Sequence, residues 1–281
     1  MYYKIENEFF TAEIDDLGCQ LHSFRAKADG FEYLWQGNPE IWYGQAPVLF
    51  PVIGQLIDDR FRYNGKEYSV PKHGLARKLP FNVKDVSGNR AVMSLESTAE
   101  TLEKYPFDFE LEIIHELVDK KLVVTHNVVN KTDGEMYFSI GAHPGFNFGV
   151  GCDIEFEKPE TLVTERIDSE NLIIDEKFPV IENETTIRIT PDLFNNDALI
   201  LSGISSEKLS LKGNGRELEF VFGNCPFLGI WAKPNAPYVC IEPWYGVNDS
   251  HEVKDDISQK RGIRKLEKGE KFSFVWTAEI K

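Results

Sequence analysis

Three residues are placed to move protons: His73, His143 and Glu242. His73 sits in PKHGLAR, after Pro71-Lys72 and before Gly74, and His143 sits in GAHPGFN, between Gly141-Ala142 and Pro144-Gly145. Glycine and proline fix a sharp backbone path around each ring, and a rigidly aimed imidazole suits proton transfer. The competing reading is that both rings merely end strands with a polar side chain. Glu242 closes the apolar run of YVCIEPWYGVND, just before Pro243 and Trp244. A carboxylate half-buried at a strand end has its pKa raised by desolvation, into the range of a general base at neutral pH. The same three side chains could in principle hold a metal, but nothing in their spacing demands one, and no metal or cofactor is expected.

The remaining histidines are less informative. His115 and His126 fall in alternating strand patterns and are expected as core or sheet-surface imidazoles; His22 follows an Asp-Asp-Leu-Gly turn, and His251 lies in a solvated polar loop, residues 248 to 256. Aromatic residues Trp35, Trp42, Phe146, Phe148, Trp231, Trp244 and Tyr245 flank loops. Their faces could pack against the C–H face of a sugar, or they could fill a β-sheet core. G-x-S-x-G, H-E-x-x-H and Walker-type phosphate loops are absent, and Gly213-Asn214-Gly215 lacks the third glycine of a dinucleotide loop.

The elements that must position these groups are strands. Short runs with period-two alternation, bounded by turn residues every ten or so positions, predict an all-β protein built from antiparallel sheets with few short helices. Residues 110 to 118 put Leu111, Ile113, His115 and Leu117 on one face and Glu110, Glu112 and Glu116 on the other, and residues 121 to 130 continue across a Lys120-Lys121 turn. Asn64-Gly65 and Asn214-Gly215 each separate two such runs and predict tight hairpins, because both residues tolerate positive φ. One short helix is expected at 98 to 105, with Ser97 and Glu100 as a capping box and Pro106 as its stop. Residues 1 to 281 show no repeat or linker and are read as a single domain.

With 31 basic and 46 acidic residues in 281, the formal charge is −15, which repels nucleic acid and anionic membrane surfaces. No apolar run approaches the ~20 residues of a membrane helix, and the start MYYKIENEFF has no signal-peptide pattern. The cysteines Cys19, Cys152, Cys225 and Cys240 form no C-x-x-C pair. A cytoplasmic protein without nucleic-acid or membrane partners is expected.

Five segments in order, APVLFPVIGQL (46 to 56), YNGKEYSVPKHGLAR (63 to 77), SIGAHPGFN (139 to 147), FNNDALIL (194 to 201) and CIEPWYGVND (240 to 249), resemble the aldose 1-epimerase, or galactose mutarotase-like, family. The resemblance runs through nearly the whole chain. It implies a β-supersandwich of large twisted antiparallel sheets with a sugar site in an open cleft, and a monosaccharide as partner of a monomer or homodimer. It also implies roles: His143 as the general acid at the ring oxygen, Glu242 as the general base at the anomeric hydroxyl, and His73 as a ring that hydrogen-bonds and orients the sugar. Asp197 is implied as a substrate-binding carboxylate, with Arg77 and Trp244 lining the same cleft. Relatives often carry arginine after the glycine of F-P-x-x-G; here Gln55 stands there, with Arg60 as the nearest replacement.

The expected function is therefore interconversion of the α and β anomers of an aldohexose such as galactose or glucose. One base and one acid suffice for ring opening and closure, whereas glycoside hydrolysis usually needs two carboxylates flanking the bond. Two alternatives stand beside it. One is a hexose 6-phosphate 1-epimerase, favoured by Arg77 and disfavoured by Gln55 and the charge of −15; the other is a non-catalytic sugar-binding or regulatory protein on the same scaffold.

Overall fold

A computed structural model describes residues 1–252 and 255–281; residues 253 and 254, within the polar loop that carries His251, lie outside the described residues. The architecture is all-β. Among the described residues a sheet of 15 strands has Gly145–Phe146 paired to Val239–Tyr245 and Ile173–Arg188 paired to Asp153–Ile167 as side branches, and its main path runs from the short strand Val48–Leu49 through Ile140–Ala142, Val239–Tyr245, Phe227–Trp231, Leu199–Ser202 and Asp153–Ile167. It then continues through Lys208–Gly213, Arg216–Val221, Lys271–Ile280, Lys121–Asn130, Phe109–Val118 and Arg90–Glu96 to Asn82–Ser87. Neighbouring strands pair antiparallel, as at Glu242 with Gly229 and at Val123 with Glu116. A separate sheet of three strands, Tyr2–Glu6, Phe10–Asp15 and Gln20–Ala26, lies at the N-terminus.

Local chemistry explains the elements. In Phe109–Val118 the buried positions alternate without a break from Phe109 to Leu117, as a strand with one face on the core requires. His115 belongs to that buried face, and His126 to the buried face of Lys121–Asn130, where its ring stacks on Phe274 at 4.4 Å. The turn between the two strands is Asp119-Lys120, with Asp119 at φ 50°, and Lys121 already opens the next strand. The expected turn was one residue late, because aspartate, unlike lysine, adopts the left-handed conformation readily. Both Asn-Gly hairpins form: Asn64 and Asn214 have φ of 51° and 54°, joining Arg60–Tyr63 to Lys66–Ser69 and Lys208–Gly213 to Arg216–Val221.

The one α-helix among the described residues, Ala99–Lys104, starts one residue later than a Ser97 cap would place it. Thr98 is the cap, and its reciprocal partner is Thr101: the Thr101 amide donates to Thr98 Oγ1 at 3.2 Å and the Thr98 amide donates to Thr101 Oγ1 at 2.8 Å. Ser97 instead donates to Asp108. A threonine hydroxyl can close such a box as a carboxylate does, and the Glu100 side chain takes Lys104 on the outer face. Among the described residues no helix is long and apolar enough to cross a membrane.

Candidate active site

The strand Val239–Tyr245 is the spine of the site. Two short strands pair with it on one side: Gly141 lies opposite Trp244, and Gly145 opposite Cys240. These pairs share one register, and the same register sets His143 directly across from Glu242. Directly opposed residues on one sheet face bring their Cβ atoms within ~4.5–5.5 Å, and here His143 Nε2 stands 3.3 Å from Glu242 Oε2. Pro144 cannot donate to a ladder, so the strand breaks at the point where the imidazole must face its partner.

On its other side Glu242 lies opposite Gly229. That glycine makes room for the Trp244 indole, since a Cβ there would come within 2.6 Å of the ring. Trp244 Nε1 donates to Glu242 Oε2 at 3.2 Å. Glu242 is 1% exposed and His143 9%. Burial pushes the Glu242 carboxyl well above the usual carboxylate range, Asp197 adding to the effect and the Trp244 hydrogen bond and the Lys72 charge opposing it. Burial takes His143 down to about 3, helped by the Arg77 and Lys72 charges. Both shifts have the same effect, disfavouring the charged form of each member of the pair.

His73 comes from a different loop. It has φ of 64°, and its Nδ1 accepts the Gly54 amide at 3.2 Å, which leaves Nε2 to carry the ring proton. Gly74, at φ 78°, follows because a Cβ there would lie 2.1 Å from the Phe50 carbonyl oxygen. Burial, with the neighbouring His143, Lys72 and Arg77, holds His73 well below the ordinary histidine range. Its ring centroid is 6.0 Å from that of His143.

These groups line one cleft of about 330 Å³, near the lower end of the ~300–1,000 Å³ typical of ligand sites. His73, His143, Glu242, Asp197, Arg77 and Trp244 all face it. Gln55 does not line it: its amide donates to the Leu56 carbonyl and to Asp59. Arg60 is spent on Asp58 and Glu67 at an exposed hairpin. Of the aromatic residues, Trp42, Trp231 and Trp244 face the cleft; Trp35, Phe146 and Phe148 are core, and Tyr245 packs on Phe272 and Phe274.

The sequence reading missed Lys72, Asn171, Lys233 and Asn248, all of which line the cleft. Lys72 Nζ donates to Asn171 Oδ1 at 2.6 Å, and Asn248 Nδ2 donates to the Asn171 carbonyl at 2.8 Å, so three loops are knitted into one wall. Lys72 was visible beside His73 in PKHGLAR; Lys233 carries no local signal. Among the described residues, Lys72, Arg77 and Lys233 make no ion pair with any carboxylate. Among the described residues the trio whose donor atoms come together differs from the one the sequence suggests: His143, Cys240 and Glu242 have donor atoms within 4.8 Å of one another, with Cys240 in place of His73.

The family model described as aldose 1-epimerase matches residues 1–275. The chain is 33% identical over 284 residues to the plasmid-borne protein LacX of Lactococcus lactis subsp. lactis, covering 95% of each. A galactose mutarotase related enzyme from Lactobacillus acidophilus superposes with a TM-score of 0.95 at 31% identity, over 100% of this chain and 97% of that one. A galactose mutarotase-like protein from Lactobacillus casei superposes at 0.94 with 29% identity, over 100% of both chains. The sheets described above are thus the β-supersandwich that the sequence resemblance implied.

Proposed function

Because the chain belongs to the aldose 1-epimerase family, we propose that it interconverts the anomers of an aldohexose, with Glu242 and His143 as its acid/base pair. The observation that carries this reading is the direct opposition of the two side chains across one ladder, 3.3 Å apart in a cleft of sugar dimensions. Moving the shared proton from Glu242 Oε2 to His143 Nε2 gives a carboxylate and an imidazolium without any exchange with solvent. The carboxylate then takes the proton of the anomeric hydroxyl while the imidazolium gives its proton to the ring oxygen. The C1–O5 bond breaks, the aldehyde rotates about C1–C2, and the reverse transfers close the ring on the other face. His73, with its proton on Nε2, donates to a sugar oxygen, and Asp197 accepts from a hydroxyl. The test is the rate at which α-galactose and α-glucose reach anomeric equilibrium, followed by polarimetry or NMR exchange. Acceleration by wild type and not by Glu242→Gln supports the pair; tight sugar binding without acceleration favours a binding protein.

A second reading keeps the chemistry and adds an anionic substituent to the sugar. Lys72, Arg77 and Lys233 favour it, because they place three cations, none in a close ion pair among the described residues, around one cleft of a protein whose net charge is −15. A phosphate accepts charge-assisted bonds from such groups more strongly than a hydroxyl does. Gln55, which weighed against a phosphosugar in the sequence, loses that weight since it does not face the cleft. Competition between galactose and glucose 6-phosphate in one assay separates the two readings: tighter binding of the phosphosugar that weakens with salt supports the second.

A further inference from the structure

Aromatic rings stack in file toward the acid/base pair. Trp35 lies on Tyr238 with centroids 4.7 Å apart and planes at 28°. Tyr238 lies on Trp42 at 5.3 Å and 25°, and Trp42 lies on the His143 imidazole at 5.0 Å and 25°. Trp231 meets both of the last two edge-on, 5.3 Å from Trp42 and 5.7 Å from His143. The file is anchored at its inner end, where Tyr238 is fully buried and Trp35 Nε1 donates to the Trp42 carbonyl at 2.9 Å. The Trp42 ring is thus committed to protein neighbours and not simply a platform waiting for a sugar.

Resting on the acid/base reading above, we infer that Trp42 is a positioning residue for His143: its indole fixes the plane of the imidazole and stabilises the imidazolium that forms when the shared proton crosses from Glu242. The other surroundings leave that task open. Burial, Arg77 and Lys72 all disfavour a charge on this ring, and His73 stands edge-on to it at 6.0 Å. A polar contact with its own backbone favours it, as do the Glu242 carboxylate and the π face of Trp42, and a desolvated cation over an indole gains enough to change an equilibrium ~5–30-fold.

Trp42→Leu and Trp42→Met remove the face, and Trp42→Phe keeps part of it. In anomer-exchange assays the two aliphatic variants should lose ~5–30-fold in kcat with KM changed much less, and Trp42→Phe should recover most of the loss. Independently of turnover, the His143 ring is titrated by proton–carbon NMR. Its midpoint should fall in the aliphatic variants and return in Trp42→Phe. Equal midpoints in wild type and the aliphatic variants overturn the inference, as does a loss confined to KM, which would assign Trp42 to sugar contact. Absence of turnover in the wild type would count against the acid/base reading, and the titration then decides the role of Trp42 alone.

Discussion

Trp244 donates its indole N–H to Oε2 of Glu242 at 3.2 Å, the same oxygen that faces His143 Nε2 at 3.3 Å. One carboxylate oxygen is therefore held from two sides, and Oε1 is left for a ligand. Glutamine can accept the same indole N–H, so Glu242→Gln should fold normally and lose ~10²–10⁴-fold in anomer exchange, read by polarimetry on fresh α-glucose. A rate near that of wild type would remove Glu242 from the reaction.

Gly229→Ala tests how tightly that indole is seated. A Cβ at Gly229 would meet Trp244 Cζ2 at 2.6 Å. The ring must shift, carrying its donor away from Glu242. Overpacking of this kind costs ~1–3 kcal/mol. A lower melting temperature and a reduced rate are expected together; unchanged activity would show that Trp244 tolerates displacement.

Lys260 and Asp249 form an ion pair that is 6% and 2% exposed at the side chains. The Ile57 amide donates to Asp249 Oδ2 at 3.1 Å, and the Asp249 amide donates to the Gln55 carbonyl at 2.9 Å, so the pair pins the F-P-x-x-G loop beside the loop of Asn248. Lys260→Met leaves a buried carboxylate alone, at a cost of ~3–5 kcal/mol. Urea denaturation should show that loss, and adding Asp249→Asn should restore part of it. Additive losses would mean that the two charges do not act as a pair.

Stability should depend on pH through buried histidines. His115 and His126 are both pushed down to about 3 by burial, against about 6.5 in an unfolded chain. Above 6.5 they contribute nothing. As pH falls from 6.5 toward 3 the unfolded chain binds protons that the fold refuses, so each ring removes ~1.4 kcal/mol per pH unit. Glu242 has the opposite sign: its raised carboxyl favours the fold at low pH, and that contribution is lost as pH rises from about 4.5 through its folded value. His115→Phe should flatten the acid limb of a urea-midpoint series, and Glu242→Gln should be at least as stable as wild type at pH 7. A parallel limb for His115→Phe would show that the ring is protonated inside the fold.

The sequence was legible where the physics is local. Asn64 and Asn214 reveal hairpins because asparagine before glycine accepts the turn's backbone, and Leu111, Ile113 and Leu117 reveal a strand because the pleat has period two. His143 and Glu242 were found through the glycines and prolines that shape their surroundings, but their opposition is a matter of register, which no local pattern encodes. Lys233 and Asn171 reach the cleft from loops whose neighbours in the chain have no part in it. Gln55 misled for the complementary reason: it stands in a segment that shapes the site, but its amide turns to Leu56 and Asp59.

The register that sets His143 across from Glu242 also ties both residues to one ladder. Glu242 lies inside its strand, and His143 sits in the break between two short strands that both pair with that strand. Any adjustment on ligand entry falls to the rim, where Lys72, Asn171 and Asn248 hang on side-chain bonds between loops. Changes in those loops can then reshape the rim while the spacing of His143 and Glu242 stays as the ladder sets it.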